Sequence, residues 1–207
     1  MKFFEEILDD SKNRVVTDAE YEKQKYEEAE RQRAEFIRTR LKQIPKRYEH
    51  ETFDTYQGQN LLKDYMKTGG SLIIYGSNGT GKTHLAFASI RYQIEQGKEA
   101  FYVLAADFFN EIKQSFANGS THKVIQDYTR YDYLVIDEID KSYGSQTEFN
   151  YMYLLINKRY NDMVPTVLIT NAKKADLVDV IGSSVLDRIA GDGKVKELSG
   201  KSYRRMG

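Results

Sequence analysis

A glycine-rich segment between a predicted strand and a predicted helix carries the strongest chemical signal in the chain. Its residues are candidates for contacting a nucleotide: Gly76, Ser77, Asn78, Gly79, Thr80, Gly81, Lys82, Thr83 and His84. Positions 76–83 match G-x-x-x-x-G-K-[ST] in full. Glycines let backbone N–H groups turn around phosphate oxygens, and the positive end of the next helix attracts the same anion. Lys82 can reach the β- and γ-phosphates and Thr83 can bind Mg²⁺, so the segment predicts a nucleotide site with Mg²⁺.

Two acids at the end of another apolar segment are candidates for the metal ligand and the general base that hydrolysis requires. The run 134–136 leads directly into Asp137 and Glu138. Ligands bind outside the carboxyl ends of parallel strands, so we expect both acids to face the phosphate loop. Asp137 is expected to hold Mg²⁺, and Glu138 to orient and deprotonate the attacking water. The pair favours an ATPase, while the nearby Asp140 is interpreted as structural.

A polar side chain also follows a later apolar segment, where Thr170 is succeeded by Asn171. An asparagine after a strand is usually a turn residue. In a chain where a phosphate loop and a strand ending in Asp-Glu precede it, however, the asparagine can contact the attacking water or the γ-phosphate. Asn171 is therefore predicted to sense the nucleotide.

The elements that must position these residues alternate between strand and helix from about Thr52 onwards. The predicted strands are 71–75, 101–105, 133–136 and 166–170, and the predicted helices are 82–95, 106–116, 149–160 and 176–181. The strands are apolar throughout rather than alternately polar. This is typical of a parallel sheet covered by helices on both faces, so the predicted fold class is α/β.

The first 50 residues have a different character, because about half of them are charged. Residues 19–43 are rich in good helix formers, and Lys23, Glu27 and Arg31 follow at i, i+4 spacing with alternating sign. Pro45 ends the region, since the residue before a proline resists the helical conformation. We expect a charged helical arm over 1–50 and an ATPase domain over 51–207. The arm is either a solvated helix or a partner-binding element ordered by what it docks on.

Composition narrows the possible functions further. The chain has 207 residues, 40% of them hydrophobic, and it contains no cysteine, which removes disulfides and cysteine-based zinc sites. A net charge of zero argues against a general coating of nucleic acid but allows a local basic surface. No run is apolar enough for a signal peptide or a membrane span, so we expect a cytoplasmic protein without membrane contact.

Several segments together resemble one family. GSNGTGKTHLA, YDYLVIDEID, INKRY…PTVLITN, VLDRI and GKSYR are similar to the DnaC-type AAA+ helicase loaders, and IPKRYEHETFDTY resembles their lead-in to the first strand. The resemblance spans about residues 40–207. It implies an AAA+ P-loop NTPase fold and ATP as the nucleotide. It also implies loading of a hexameric, DnaB-like replicative helicase onto single-stranded DNA, by a protein that self-assembles into an oligomer or spiral.

Two other functions remain open alongside the loader. Transposition helper ATPases of the IstB kind share much of the same pattern, with a transposase and duplex DNA as partners. A small P-loop kinase is the second alternative. The chain lacks the cysteines of the zinc domain that DnaI-type loaders carry, and its arm is short. Both departures favour a compact version, such as a phage-encoded one.

The resemblance also implies roles for individual residues. Asn171 is similar to the first sensor, Arg188 to the arginine finger given to a neighbouring subunit's nucleotide, and Arg204 to the second sensor on the same subunit's nucleotide. A guanidinium suits these roles because it contacts phosphate oxygens in a bidentate way. A site completed in trans implies weak hydrolysis by the isolated chain.

Two aromatic residues resemble the family's contacts to single-stranded DNA, namely Phe116 and Tyr151. Aromatic faces stack on bases of any sequence, and Lys113 and Lys123 could follow the phosphate backbone. The preceding apolar positions Phe108, Phe109 and Ile112 are expected in the core.

Overall fold

The computed structural model of the chain describes residues 18–56, 60–142 and 144–199. These belong to two compact units, one ending at Thr39 and the other beginning at Arg40. Over the described part of the chain, no helix combines the length and the apolar character that crossing a membrane requires.

The first unit is the greater part of one helix, α1 (Asp18–Leu41). Its side chains are mostly exposed, with Tyr26 exposed to 68%. Ion pairs at i, i+3 or i, i+4 spacing run along it, including Arg38–Glu35 at 2.8 Å and Lys23–Glu27 at 3.9 Å. Exposed pairs of this kind each contribute only a few tenths of a kcal/mol (about 0.3–0.5) to a helix. The predicted N-terminal helix is confirmed.

The second unit is built on a five-stranded parallel sheet. Its strands are β1 (Leu72–Tyr75), β2 (Ala100–Leu104), β3 (Tyr133–Asp137), β4 (Thr166–Ile169) and β5 (Lys194–Glu197). Their order is β2-β3-β4-β1-β5, and every neighbouring pair is parallel. Strands β1, β3 and β4 are buried along their whole length, which explains their continuous apolar sequences.

Helices connect these strands and lie on both faces of the sheet. The helices are α2 (Asn60–Thr68), α3 (Lys82–Glu95), α4 (Ala105–Ser115), α5 (Thr121–Thr129), α6 (Ile139–Ser142), α7 (Gln146–Asn161), α8 (Leu177–Ile181) and α9 (Ser183–Asp192). Short 3-10 helices span Lys46–Tyr48, Phe116–Asn118 and Lys174–Asp176. One face packs against α4–α9 through side chains such as Ile73 and Ile136. The opposite face, with Ile74 and Val135, is buried by α2 and α3. The predicted α/β class with both faces covered is confirmed.

Among the described residues, one strand and four α-helices were not predicted from the sequence. Strand β5 has the sequence KVKE and is largely exposed at the sheet edge, so it lacks the apolar run used to find the others. It is held by pairing with β1, where Lys194 N donates to Ser71 O at 3.1 Å. A Cβ on Gly193 would lie 2.2 Å from that same oxygen, so only glycine allows this approach. Helices α2, α5, α6 and α9 were also not predicted.

A fully buried arginine ties together the starts of two strands. Arg159, on α7, has no exposed surface. Its guanidinium donates to five oxygens at 2.6–3.1 Å, which belong to Tyr128, Thr129, Tyr131, Pro165 and Thr166. Burial lowers the pKa of Arg159 to about 10, which still leaves it charged at neutral pH. The segment before β3 and the first residues of β4 are therefore fixed by one side chain.

Candidate nucleotide site

The sheet order brings the predicted chemical residues to one edge. Strand β4 lies between β1 and β3, so the loop after β1, the acids ending β3 and the residue after β4 are neighbours. They line one cleft together with a few earlier residues: Arg47, Tyr48, Glu51, Asn78, Gly79, Gly81, Lys82, Thr83, His84, Asp137, Glu138 and Asn171. The loop, both acids and the proposed sensor thus share a single site.

The loop between β1 and α3 has the backbone of a phosphate cradle. Gly76, Gly79 and Gly81 all have positive φ, at 136°, 82° and 91°. A Cβ on Gly76 would lie 2.4 Å from Leu198 O, so glycine is required there by close approach as well. Gly81 caps α3, whose first turn carries no acidic side chain that would repel an anion. Free N–H groups at a helix start attract anions, so the loop fits phosphate.

Lys82 is the cation of this cradle. It is only 6% exposed, and its ammonium donates to Gly76 O and Ser77 O, both at 2.8 Å. The chain bends around it, and Thr80 Oγ1 donates to Ser77 O at 3.0 Å. A buried ammonium directed into the loop is placed to bind phosphate oxygens.

Asp137 is the buried carboxylate of the site, at 3% exposure. Its Oδ1 accepts the Glu138 N–H at 2.6 Å, and its Oδ2 accepts Thr83 Oγ1 at 3.0 Å and the Tyr102 hydroxyl at 2.9 Å. Burial raises the pKa of Asp137, although these three hydrogen bonds work in the opposite direction. A carboxylate beside a threonine hydroxyl is an oxygen donor set that suits Mg²⁺.

Glu138 follows at the rim, with its backbone in the left-handed region at φ 56°. Such a conformation is costly for a residue with a Cβ and is found disproportionately at functional sites. Lys141 Nζ donates to Glu138 Oε1 at 2.6 Å, and this hydrogen bond raises the pKa of Lys141. The turn directs a half-exposed carboxylate to the cleft, where it can receive a proton from water.

Asn171 is held by Asp140. The Asp140 carboxylate accepts the Asn171 N–H at 2.7 Å, the Asn171 Nδ2 at 3.3 Å and the Thr170 hydroxyl at 2.9 Å. Burial alone would raise the pKa of Asp140, but these bonds outweigh it and lower the pKa. Asp140 therefore joins the end of β3 to the end of β4, in agreement with its interpretation as structural.

The segment before the first strand, within the second unit, contributes residues that were not predicted from the sequence. Glu51 Oε2 lies 2.7 Å from His84 Nδ1, and Thr55 Oγ1 lies 3.3 Å from His84 Nε2. Tyr48 stacks on Phe87 with ring centroids 4.4 Å apart. Tyr48, Glu51 and Thr55 belong to the segment IPKRYEHETFDTY, so its resemblance to a family lead-in was the available signal. The role of single residues within it depends on tertiary contacts.

Arg188 lies on α9 and is not among the described residues that line the cleft. Its guanidinium donates to Asn157 Oδ1 at 2.9 Å, Ser184 O at 3.0 Å and the Tyr153 hydroxyl at 3.0 Å. It also lies 4.7 Å from the Tyr153 ring centroid. A position away from the chain's own cleft fits a residue that acts on another subunit. Arg204, the other predicted arginine, lies outside the described residues.

The two aromatic residues predicted to contact DNA lie side by side. Phe116 is 48% exposed, and its ring centroid is 5.7 Å from that of Tyr151. The nearby core prediction agrees with the structure, because Phe108, Phe109 and Ile112 are each at most 2% exposed. Lys113 is paired with Glu148 at 2.9 Å. Tyr151 is partly buried against the core, so the stacking surface that the pair offers is mainly the exposed ring of Phe116.

Comparisons with known proteins agree with this geometry. The family described as IstB-like ATP binding protein matches residues 21–206. The replicative helicase loader DnaC of Escherichia coli K12 is 34% identical over 125 residues, which cover 58% of this chain and 49% of that protein. The ATP-binding protein of insertion sequence IS5376 from Geobacillus stearothermophilus is 26% identical over 179 residues, which cover 80% of this chain and 71% of that one.

A solved structure extends the comparison to the fold. The crystal structure of the DnaC helicase loader superposes with a TM-score of 0.67 at 24% identity, over 75% of this chain and all of that one. The superposition confirms the expected fold, a parallel sheet with helices on both faces. The chain spans about half the length of the DnaC relatives that it matches.

Proposed function

The chain belongs to the family of IstB-like ATP-binding proteins, and on that premise we propose that it is an ATP-dependent loader of a replicative DNA helicase. The observation that carries the proposal is the 34% identity to DnaC over 125 residues, since that protein is a replicative helicase loader. The cleft at the carboxyl ends of β1, β3 and β4 supplies the ATP site that such a protein requires.

In this proposal the cleft residues divide the work of ATP hydrolysis. The loop amides and Lys82 bind the β- and γ-phosphates, while Thr83 and Asp137 hold Mg²⁺. Mg²⁺ neutralises the charge that develops on the phosphate oxygens. Glu138 orients and deprotonates the attacking water, and Asn171 contacts that water or the γ-phosphate. The clamp of Asp140 on Asn171 supports this, because a sensing side chain must have a fixed position.

The site is completed by a neighbouring subunit. Arg188 lies away from its own chain's cleft, so we propose that it reaches the nucleotide of the next subunit in an oligomer or spiral. To do so it exchanges its present contacts with Asn157 and Tyr153 for phosphate oxygens. An arginine supplied in trans can be worth a factor of about 10³ to 10⁵ in rate. Hydrolysis by an isolated subunit is accordingly weak. In the same proposal, Arg204 acts as the second sensor on the nucleotide of its own subunit.

We assign one partner to each part of the chain, the helicase to the arm and single-stranded DNA to the ATPase domain. The charged arm before Arg40 binds the hexameric helicase, and the ATPase domains of neighbouring subunits, which begin at Arg40, surround single-stranded DNA. Phe116 and Tyr151 stack on bases, which is supported by the exposure of Phe116 and by the adjacent, partly buried ring of Tyr151. ATP-bound subunits hold the helicase ring on DNA, and hydrolysis permits release.

A transposition helper is the second candidate. It is favoured by the IS5376 protein, whose similarity covers 80% of this chain against 58% for DnaC. In that case the same ATPase would serve a transposase on duplex DNA. A small kinase is less favoured, because the relatives that the chain matches are a helicase loader and an insertion-sequence ATP-binding protein.

Co-purification with the replicative helicase of the host tests the proposal. The full chain is mixed with the helicase in ATP or in ADP, and the mass of any complex is measured by light scattering. A stoichiometric complex supports the loader. No complex with either nucleotide, together with capture of a transposase in the parallel experiment, would replace the loader by the helper.

A variant that begins at Arg40 locates the helicase contact. This cut removes the first unit and keeps the Gln43 Nε2 bond to Ala100 O at 2.9 Å, together with the buried Ile44. We expect a folded, ATP-binding domain that no longer captures the helicase. Capture by the shortened chain would show that α1 is only a solvated helix.

A further inference from the structure

The hydroxyl of Tyr102 makes a contact with Asp137 that the proposed mechanism does not use. Tyr102 lies on β2, one strand beyond β3. Its hydroxyl donates to Asp137 Oδ2 at 2.9 Å, which is the oxygen that also accepts Thr83 Oγ1 at 3.0 Å. Burial and the adjacent carboxylate raise the pKa of Tyr102, so its phenol keeps its proton and remains a donor.

The tyrosine ring is held in place by a column of aromatic side chains. Phe87, on α3, lies 4.3 Å from the Tyr102 ring centroid and 4.4 Å from that of Tyr48. Phe87 is 3% exposed, so the middle of the column is buried. Thr83 and Phe87 are four residues apart and share one face of α3. The helix that carries the metal-binding threonine therefore also packs against the ring of Tyr102.

The donors around Asp137 are not equivalent when Mg²⁺ binds. In the proposed site Thr83 would bind Mg²⁺ through a lone pair of its hydroxyl oxygen, while its hydroxyl proton can still be donated to Asp137 Oδ2. The Glu138 N–H continues to hold Oδ1. Tyr102 is the donor to Oδ2 that would not itself bind the metal, so its effect on Mg²⁺ would come through the orientation of this oxygen. Partners that hold a metal-binding carboxylate typically contribute 10- to 100-fold to metal affinity.

We propose that Tyr102 is a positioning residue for Mg²⁺, which acts by orienting the Asp137 carboxylate. The inference rests on the proposed binding of ATP with Mg²⁺ at this site. The proposal adds to the site a residue from β2, a strand that carries none of the loop, acid or sensor residues.

The test compares Tyr102→Phe with a matched variant, Tyr128→Phe. The first keeps the ring and its packing and removes only the hydroxyl. The second removes the hydroxyl of Tyr128, which donates to Glu111 Oε1 at the same distance, 2.9 Å. Tyr128 is only 4% exposed. Each variant therefore loses one tyrosine–carboxylate hydrogen bond, and only Tyr102→Phe loses it at Asp137.

Binding of a fluorescent ADP analogue is titrated with MgCl₂ and, separately, measured in EDTA. We expect Tyr102→Phe to raise the Mg²⁺ concentration at half-maximal effect about tenfold while affinity in EDTA stays unchanged. Tyr128→Phe should match the wild type in both measurements.

Two results would overturn the inference while leaving the nucleotide site intact. One is a Tyr102→Phe variant with a wild-type Mg²⁺ titration. The other is a loss of affinity that is equal in EDTA and in MgCl₂, since that would indicate a general packing defect. A wild-type chain that binds no nucleotide would instead refute the proposed function itself.

Discussion

Replacing Arg159 by methionine should destabilise the ATPase domain strongly. The side chain is fully buried and donates five hydrogen bonds, four of them to main-chain carbonyls. Methionine fills most of the space, so the cost comes mainly from the acceptors left without a partner. Because these are backbone oxygens, no second substitution can remove them.

The magnitude follows from the number of bonds. At a net value of about 1 kcal/mol each, five bonds stabilise the fold by about 5 kcal/mol. Removing the guanidinium also removes the cost of burying its charge, which offsets part of this loss. We therefore expect the free energy of unfolding to fall by about 3–4 kcal/mol. For a chain of this length, that corresponds to a melting temperature lower by about 6–16 °C.

Circular dichroism on heating and urea titration measure this effect directly. Arg159→Lys keeps the charge but loses the planar fork, so its loss of stability should be intermediate. Arg130→Met is the control, because Arg130 is exposed and pairs with Asp127 at 3.5 Å, and its effect should stay within about 0.5 kcal/mol. An Arg159→Met variant within 1 kcal/mol (about 3 °C) of the wild type would refute the reasoning.

Further predictions concern the site. Lys82→Ala should abolish ATP binding in calorimetry because it removes the buried ammonium. Glu138→Gln should bind ATP and lose turnover by at least about 10²-fold. Rapid hydrolysis by Glu138→Gln would show that Glu138 does not deprotonate the attacking water. Arg188→Ala should leave ATP binding intact and reduce hydrolysis by the assembled protein on single-stranded DNA, and full DNA-stimulated hydrolysis would exclude Arg188 as the finger. Asp140→Asn should lose about 1 kcal/mol of stability at pH 7. Because the pKa of Asp140 is lowered in the fold, its contribution is fully present above about pH 4 and disappears as the pH falls through the lowered pKa. The difference between Asp140→Asn and wild type in urea titrations should therefore shrink below pH 4, and a constant difference would contradict the assignment.

The chemical core of the site could be predicted because its signals are local. Helix α3 has the predicted bounds, since Gly81 with positive φ and the loop before it fix its start through neighbouring residues alone. Strands β1, β3 and β4 were recognised because burial on both faces leaves a continuous apolar run. The loop, Asp137 and Glu138 each follow directly from such an element, so position in sequence implies position in the cleft.

The remaining features depend on contacts between residues far apart in the chain. Strand β5 is polar and exists because it pairs with β1, and Gly193 is required by a carbonyl more than a hundred residues earlier. Asp140 and Tyr102 look unremarkable in sequence. Their roles arise because β3 lies between β2 and β4, which brings the Tyr102 hydroxyl to Asp137 and the Asp140 carboxylate to Asn171. The sequence alone determined which residues can do the chemistry, whereas strand order, a property of the whole sheet, decided which side chains hold them in place.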